Sequence, residues 1–286
     1  MDVLILVVLY DVDVFSSETI KSLMIHLDNK SSVINKKIIV FNNGPSKVSV
    51  DYNCFEAFDE KNFILENNIN NVPLSILYND VISRYKCDRY AILDHDSLVS
   101  EDYIAQLNDE SYDICVPRIK SLSDDIIYYP FSDNKIITVD STLNSKNCYS
   151  IGSGLLINKR VTEKLFTTYN NVFDECYALY GVDVTFFKRI NKIRDQDIKI
   201  ICRGELLHSL SRIDAVENRF RQMERALDYG ITARRYPSLR RSFGLMREVF
   251  TKFFSFRFHQ LKYTLVGFFL GAHPRVIKWK RSDEKK

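Results

Sequence analysis

The sequence predicts an α/β fold with a mainly parallel central sheet flanked by helices, and two features of the pattern support this. Short runs of strand length occur at residues 3–10, 36–41 and 90–93, and they are apolar except for the two lysines that begin the second run. Runs that are apolar throughout are typical of strands that helices cover on both faces. The first two runs are separated by a helical pattern whose apolar face consists of Ile20, Leu23, Met24 and Leu27. Strand, helix and strand in this order form a βαβ unit, whose strands are parallel.

The rest of the chain alternates in a way that fits the same fold. We predict helices at residues 74–85, 160–166 and 184–193, and strands at 112–116 and 198–203. Within the segment 150–157, two small residues precede a further strand. The segments 126–129 and 135–139 predict a hairpin with residues 132–134 at its tip. Residues 63–73 are polar and rich in asparagine, which predicts a loop.

The composition is that of a folded chain with ample material for a core. The 286 residues are 45% hydrophobic, and only 9 Gly and 6 Pro argue against disorder. The six cysteines, of which Cys54 is the first, form no Cys-x-x-Cys pair, so we expect reduced thiols rather than a zinc site or a disulfide framework. Asp2 stands where a signal peptide would be positively charged, so we interpret the first run as a strand. The uncharged run at residues 263–273 is too short to cross a bilayer.

The stretch at residues 90–103, YAILDHDSLVSEDY, carries the clearest chemical signal. Its apolar run ends in Asp94 and Asp96, which point the same way because side chains alternate along an extended chain. Two such carboxylates can hold a hard divalent cation, which prefers oxygen ligands. They could equally end a strand, since many surface turns contain an Asp-x-Asp triplet. Ser97 or Ser100 is expected to cap the following helix.

Five segments stand in an order that resembles the family 2 glycosyltransferases, most closely the rhamnosyltransferase-like branch. They are IIVFNNGPS, AILDHDSLVSEDYI, SGLLINKR, FDECYALYGVDVTFFKR and LLHSLSR. Each segment alone is a weak signal, whereas five in the family's order and rough spacing are a specific one. The resemblance covers residues 1–215. It implies a GT-A fold, a nucleotide-diphosphate sugar donor, inversion at the anomeric carbon and a divalent cation, Mg²⁺ or Mn²⁺.

The resemblance also implies roles for individual residues. The metal ligands would be Asp96, His208 and Asp94. The nucleotide-sugar-binding residues would be Leu9, Tyr10, Asn42, Asp94, Ser153 and Gly154. The catalytic base would be Asp183, and the residues that could face the acceptor would be Asp174 and Glu175. The chemistry needs such groups, because a metal stabilises charge on the leaving diphosphate and inversion needs a base on the opposite face of the sugar.

Two positions depart from the family's pattern. Asn42 stands where the family usually has an aspartate that contacts the base, which leaves the preferred base open. Val182 stands where an acid often precedes the catalytic aspartate, so Asp183 is the only acid of its motif. Asp183 could instead be a simple N-cap, and His208 could be a histidine satisfied at a strand end. Gly154 could serve a turn alone.

The C-terminal part differs in charge from the rest. Residues 234–286 contain 14 Lys and Arg against 3 Asp and Glu, whereas the whole chain has a net charge of +3. Apolar residues between 243 and 261 recur every three or four positions, which predicts one amphipathic helical stripe. We therefore predict a catalytic domain at residues 1–215 and a helical, basic, aromatic-rich extension at 216–286. A helix packed on the catalytic domain, with a solvated basic face, is the alternative.

These features predict the partners and the location. A basic, aromatic-rich helix suits an anionic membrane surface, so we expect a cytoplasmic protein at the inner face of the membrane. The acceptor would be a glycan or a lipid-linked oligosaccharide of a bacterial surface polysaccharide. We expect no nucleic-acid partner, because residues 1–233, which precede the basic part, carry net negative charge. A homo-oligomer is possible. The rival functions are a nucleotidyltransferase on a similar sheet and a non-catalytic glycan-binding or membrane-binding protein.

Overall fold

A computed structural model describes residues 1–27, 35–51, 61–193, 198–210 and 218–284. The chain forms two compact units. The first contains Met1–Asn71, Val81–Val172 and Phe186–Ala215, and the second contains Val72–Asp80, Phe173–Thr185 and Val216–Lys286. The second unit therefore takes two segments from within the predicted catalytic domain. The predicted boundary between residues 215 and 216 lies outside the described residues, as does Cys54.

The secondary structure is numbered here in chain order. The strands are β1 (Asp2–Leu9), β2 (Asn35–Asn42), β3 (Phe63–Asn67), β4 (Arg89–Asp94), β5 (Ser97–Val99), β6 (Ile114–Ser121), β7 (Ile127–Tyr129), β8 (Phe131–Ser132), β9 (Lys135–Ile136), β10 (Ser141–Leu143), β11 (Cys148–Tyr149), β12 (Leu155–Asn158) and β13 (Ile200–His208). The helices are α1 (Glu18–Leu27), α2 (Leu74–Arg84), α3 (Glu101–Gln106), α4 (Lys159–Tyr169), α5 (Val182–Lys192), α6 (Arg219–Arg235), α7 (Leu239–Phe254), α8 (Phe258–Leu270) and α9 (Pro274–Asp283).

The central sheet of the first unit has the strand order β10-β13-β6-β12-β4-β1-β2-β3. β1 pairs in parallel with β2 and β4, β2 pairs in parallel with β3, and β6 with β13. β12 runs antiparallel to both of its neighbours, β4 and β6. The prediction of a mainly parallel sheet flanked by helices is confirmed.

The core of the first unit is centred on β1. Its residues from 3 to 9 are all buried, because helices and neighbouring strands surround this strand. Val3, Ile5, Val7 and Leu9 belong to one apolar cluster. The predicted apolar face of α1 packs in the same cluster, with Ile20, Leu23 and Leu27 buried and Met24 partly buried. The helical pattern that separates the first two strands is thus confirmed.

An irregularity in β13 decides where its last residues point. Its register against β6 shifts between Cys202 and Glu205, which is a β-bulge. One extra residue reverses the face that every later side chain occupies. Ile201 and Leu206 accordingly lie in the same apolar cluster, although strict alternation would put them on opposite faces. The bulge therefore sets the face on which the end of this strand presents its side chains.

Three predictions for the first unit are wrong in detail. Residues 63–73 are not all loop, because β3 pairs in parallel with β2 as an edge strand. The strand predicted at 112–116 continues past Pro117 to the end of β6, since the bulge in β13 lies opposite this proline, which has no N–H to donate. The predicted hairpin has other partners: β7 pairs with β6, and β8 pairs with β9.

The second unit is built mainly from α6, α7, α8 and α9. The apolar stripe predicted between residues 243 and 261 is divided between α7 and α8. α6 and α8 approach closely, because glycines stand where they meet. A Cβ on Gly267 would lie 2.4 Å from the carbonyl oxygen of Leu227, and one on Gly230 would lie 2.0 Å from that of Thr264.

None of the helices in the part of the chain that the structure describes has the length and apolarity that a membrane crossing requires.

The close approach of α6 and α8 gives a stability prediction. Gly267→Ala should lower the free energy of unfolding by roughly 1–3 kcal/mol, the usual cost of overpacking, because its methyl group meets backbone. Gly244→Ala in α7 is the matched control, since its methyl group would meet only the hydroxyl oxygen of Tyr229, at 2.9 Å. That change should raise the free energy of unfolding by about 0.5–1 kcal/mol. Urea denaturation measures both, and equal values would contradict the packing described.

Candidate functional site

The loop after β4 is held in place by the start of α1. The Ser17 hydroxyl donates a hydrogen bond to the carbonyl oxygen of His95, at 2.8 Å. The Thr19 hydroxyl donates to the carbonyl oxygen of Asp94 and accepts from the backbone N–H of Ser97. The backbone N–H of Thr19 also donates to the carbonyl oxygen of His95. The backbone that carries Asp94 and Asp96 is therefore fixed on both sides of the turn.

Strand pairing brings a histidine to these two acids. β5 begins directly after Asp96 and runs antiparallel to the end of β13, with Ser97 opposite His208. His208 Nδ1 lies 3.3 Å from Asp96 Oδ1, and His208 Nε2 lies 3.9 Å from Asp94 Oδ2. One ligand atom from each of the three residues lies within 4.8 Å of the others. The structure thus brings together the three residues that the sequence predicts as metal ligands.

The three side chains can hold a small divalent cation. Carboxylate oxygens and imidazole nitrogen are accepted ligands of Mn²⁺, and carboxylates suit Mg²⁺. His208 is nearly buried, whereas the side chains of Asp94 and Asp96 are 39% and 35% exposed. A bound cation would therefore keep a side open to solvent or to the phosphate oxygens of a ligand.

The electrostatics of the acids also favour a cation. Partial withdrawal from water raises the pKa of the Asp94 carboxyl, although the side chain keeps 39% of its surface exposed, and the neighbouring Asp96 carboxylate raises it further. The imidazoles of His208 and His95 act in the opposite direction. Two carboxylates so close repel each other, and a cation between them relieves the repulsion.

Two buried serine hydroxyls link the strands that carry the cluster of Asp94, Asp96 and His208. The backbone N–H of Asp94 donates to Ser153 Oγ at 3.0 Å, and the Ser153 hydroxyl shares a hydrogen bond of 2.7 Å with that of Ser97. Ser97 Oγ lies 3.0 Å from His208 Nδ1. In the tautomer with the proton on Nδ1, the Nδ1–H donates a hydrogen bond to Ser97 Oγ. The lone pair of Nε2 is then available to a metal. Such partners orient histidine ligands in metal sites.

Ser97 and Thr19 are functional candidates that sequence reasoning missed. The sequence offers Ser97 or Ser100 as the cap of the next helix, and the structure gives that role to Ser100, whose hydroxyl accepts from the backbone N–H of Tyr103. The position of Ser97 directly after the acidic triplet is the only local signal. Its partner His208 is more than a hundred residues away in sequence, so the contact depends on strand pairing.

The hydroxyl chain gives a prediction about metal affinity. Ser97→Ala should weaken Mn²⁺ binding about 10–100-fold, the usual cost of removing a group that orients a ligand, because the His208 ring loses its fixed orientation. Isothermal titration with Mn²⁺ measures it. Ser22→Ala is the matched control, since it also removes a buried hydroxyl of the first unit, one that accepts from Val99 N and lies outside the cluster. Equal affinities for the two variants would exclude Ser97 from this role.

A cavity lies beside the ends of β1 and β2. Its volume is about 220 Å³, and it is lined by Asp11, Val12, Asp13, Asn42, Gly44, Pro45, Ser46 and Val48. Loops at the carboxyl ends of parallel strands commonly form ligand sites. Tyr10, which follows β1, is 45% exposed, whereas Leu9 is fully buried and its carbonyl oxygen accepts from the Asn43 N–H. Of this predicted donor-binding pair, only Tyr10 presents its side chain to solvent.

Asn42 is occupied in shaping this cavity. Its amide nitrogen donates to the carbonyl oxygen of Ser46 and to Asn67 Oδ1, each at 2.7 Å. Its side-chain oxygen accepts from the Gly44 N–H. Both donors are therefore used, and a contact to a base would have to use the remaining lone pair of that oxygen.

Ser153 and Gly154 lie beneath the cluster rather than on its open side. Ser153 is buried, with its hydroxyl in the chain of hydrogen bonds described above. Gly154 has a φ of +85°, and a Cβ there would lie 2.5 Å from the ring of Pro117. The glycine is therefore needed for the turn into β12, which is the alternative that the sequence left open. Direct contact of either residue with a sugar stays a prediction.

Asp183 lies in the second unit, in the first turn of α5. Its Oδ1 accepts from the Val184 N–H at 2.7 Å, and the side chain lies near the positive end of the helix. Arg189, the arginine of the same motif, is buried in the first unit and donates to Asn171 and Val172. The arginine thus fixes the chain after α4, and the role of Asp183 as a base stays a prediction.

The two acids predicted to face the acceptor hold the second unit together. Asp174 is 2% exposed and accepts from Arg235 Nε at 3.0 Å and from the Tyr236 hydroxyl at 2.9 Å. Glu175 accepts from Asn79 and forms an ion pair with Lys280 at 2.8 Å. These contacts favour a structural role for Asp174. An acceptor-side role stays a prediction that suits the partly exposed Glu175 better.

Solved structures share this fold, although no family model matches the sequence and no curated protein does. S. aureus TarS residues 1–349 in complex with UDP-GlcNAc superpose with a TM-score of 0.54 at 11% identity, over 96% of this chain and 83% of that chain. The complex of TarS 1–349 with UDP gives a TM-score of 0.50 at 10% identity, over 80% and 65%. A further TarS structure is covered over 44% of its length, so the chain spans less than half of that protein. At this level of identity, the likeness shows that this chain shares the fold of TarS.

Proposed function

We propose that the protein is an inverting, metal-dependent glycosyltransferase that moves a sugar from a nucleotide-diphosphate donor to a growing glycan. The main support is structural: Asp94, Asp96 and His208 come together at the carboxyl edge of the sheet. Oxygen and imidazole ligands at this edge are what a donor diphosphate with its cation requires. The fold shared with TarS, which was solved in complex with UDP and with UDP-GlcNAc, supports a reaction on a nucleotide sugar.

The three residues of this group would hold Mg²⁺ or Mn²⁺, which supplies charge stabilisation for a leaving diphosphate. Thr19 and Ser97 keep the acids and the imidazole in position, and the exposed sides of the two carboxylates leave room for the diphosphate. The donor is a nucleotide sugar, which the UDP and UDP-GlcNAc complexes of TarS support. The cavity lined by Asp11 and Asn42 is a candidate for the base of the nucleotide.

Asp183 is proposed as the general base. In the transfer, the oxygen of an acceptor hydroxyl forms a bond to the anomeric carbon, and the bond from that carbon to the diphosphate oxygen breaks. Asp183 takes the hydroxyl proton, and the nucleoside diphosphate leaves with its negative charge. A carboxylate in the first turn of a helix stays ionised readily, because the helix dipole favours its charge.

The acceptor is proposed to be a lipid-linked oligosaccharide of a bacterial surface polysaccharide. The order of the five sequence motifs supports family 2 and its rhamnosyltransferase-like branch. The basic character of residues 234–286 supports an acceptor that is presented at an anionic surface. The same considerations support a cytoplasmic protein at the inner face of the membrane.

A screen of nucleotide sugars tests the proposed function. We expect at least one nucleotide sugar to raise the melting temperature of the full chain in the presence of Mn²⁺ and not in its absence, since a ligand that binds the folded state stabilises it. Incubation with a glycan acceptor should then release nucleoside diphosphate. Release of pyrophosphate would indicate a nucleotidyltransferase, and binding without any release would indicate a non-catalytic binding protein.

A further inference from the structure

Five phenylalanines surround the junction of α7 and α8 in the second unit. Phe250, Phe253, Phe254, Phe256 and Phe258, which we call the phenylalanine corner, are each between 50% and 79% exposed. Their rings contact one another, with the Phe253 centroid 5.5 Å from that of Phe254 and 5.9 Å from that of Phe258. Contiguous exposed aromatic surface of this kind marks an interaction site.

The backbone at the corner uses an unusual residue. α7 ends in a Schellman motif, in which the Phe256 N–H donates to the Phe253 carbonyl oxygen and the Arg257 N–H donates to that of Lys252. The residue that turns the chain, Phe256, has a φ of +56°. Glycine or asparagine normally fills this position, because a bulky side chain is strained there.

Two other helix ends of this chain follow the usual rule. Asn170 ends α4 with a φ of 62°, and Gly271 ends α8 with a φ of 65°. The most exposed member of the corner, at 79%, therefore stands where the backbone favours glycine. The Phe256 ring packs only against the half-exposed ring of Phe258 among the ring contacts described, with the centroids 5.9 Å apart, and it adds nothing to the buried core. A strained and exposed phenylalanine therefore points to a role in contact with something outside the chain.

The charge around the corner is positive. Between residues 239 and 270 the sequence has one acid, Glu248, and it forms an ion pair with Lys252 at 2.9 Å. The remaining cations of this range are Arg240, Arg241, Arg247, Arg257 and Lys262. Basic side chains that flank exposed aromatic ones are the pattern of a surface that lies in the headgroup region of an anionic bilayer.

We propose that the phenylalanine corner inserts into the interface of an anionic membrane, with the flanking cations on lipid phosphates. A second copy of the chain is a less suitable occupant. A two-fold interface would place the patch against itself and bring the same cations together. The sequence predicts membrane contact for the whole basic extension, and this proposal assigns it to one corner. It does not depend on the proposed glycosyl transfer.

Vesicle co-sedimentation of the full chain tests the proposal. We expect binding to vesicles of equimolar phosphatidylserine and phosphatidylcholine and little binding to phosphatidylcholine alone. Raising the salt concentration should weaken binding without abolishing it, since salt screens the cations but not the insertion of the rings.

Phe256→Gly is the decisive variant. We expect it to bind anionic vesicles about tenfold more weakly, the scale of withdrawing one phenylalanine from an apolar phase, while its melting temperature is unchanged or higher. Phe166→Ala, which removes a 60% exposed phenylalanine of α4 in the first unit, is the matched control and should bind as the wild type does. Equal binding by Phe256→Gly and wild type would overturn the proposal. Failure of the wild type to bind would also overturn it, and a dimer that Phe256→Gly dissociates would identify the corner as a protein interface.

Discussion

Asp96→Ala should abolish Mn²⁺-dependent binding of a nucleoside diphosphate while the protein stays folded. Removing a residue that only orients a ligand costs 10–100-fold in metal affinity, so removing a ligand itself should cost at least about 100-fold. Folding should be retained, because the side chain is 35% exposed and contributes nothing to the core. Calorimetric titration of nucleoside diphosphate in the presence of Mn²⁺ measures the effect.

The matched control for this change is Asp102→Ala. Asp102 is an exposed acid in the first turn of α3, so its loss changes the net charge equally and leaves the cluster intact. We expect the control to bind as the wild type does. If Asp96→Ala keeps its Mn²⁺-dependent affinity for nucleoside diphosphate, Asp96 is not part of the site. Equal losses of affinity in both variants would show that only the change in net charge matters.

Asp183→Asn should keep donor binding and lower kcat at least ~100-fold, the scale that loss of a general base usually costs. The amide occupies the same space and can still accept from the Val184 N–H, so the start of α5 should be preserved. Steady-state transfer with saturating donor measures kcat, and titration of the donor measures binding.

Glu175→Gln provides the comparison for this prediction. Glu175 contacts Asn79 and Lys280, so its change should affect stability more than turnover. Near-normal turnover by Asp183→Asn would contradict its role and transfer it to Asp174 or Glu175. A loss of donor binding in Asp183→Asn would show that the residue acts on the donor instead.

The parallel part of the sheet was predictable from the sequence because it depends on local pattern. β1 and β4 are continuous apolar runs, and α1 shows its buried face as a repeat of three and four. β3 was missed because it lies at the edge of the sheet, where polar residues are tolerated. β5 is only three residues long and has no local pattern that identifies it as a strand.

The candidate site was predictable in its ligands but not in its support. Asp94 and Asp96 are recognisable in the sequence because they directly follow an apolar run. His208 has no such local signal, and only the order of the motifs identifies it. The bulge in β13 places His208 on the face where Asp94 and Asp96 lie. The local sequence does not predict this bulge. Ser97 and Thr19 act through contacts between distant segments, which a single sequence does not reveal.

We propose that Asp94, Asp96 and His208 bind one divalent cation. Pulsed electron paramagnetic resonance of Mn²⁺ bound to the full chain tests this, because the spectrum detects an imidazole nitrogen that ligates the ion. We predict a nitrogen coupling in the wild type and its loss in His208→Gln, with the bound Mn²⁺ of Asp96→Ala reduced to the background level. A wild-type spectrum without nitrogen coupling, or a coupling that persists in His208→Gln, would contradict the claim.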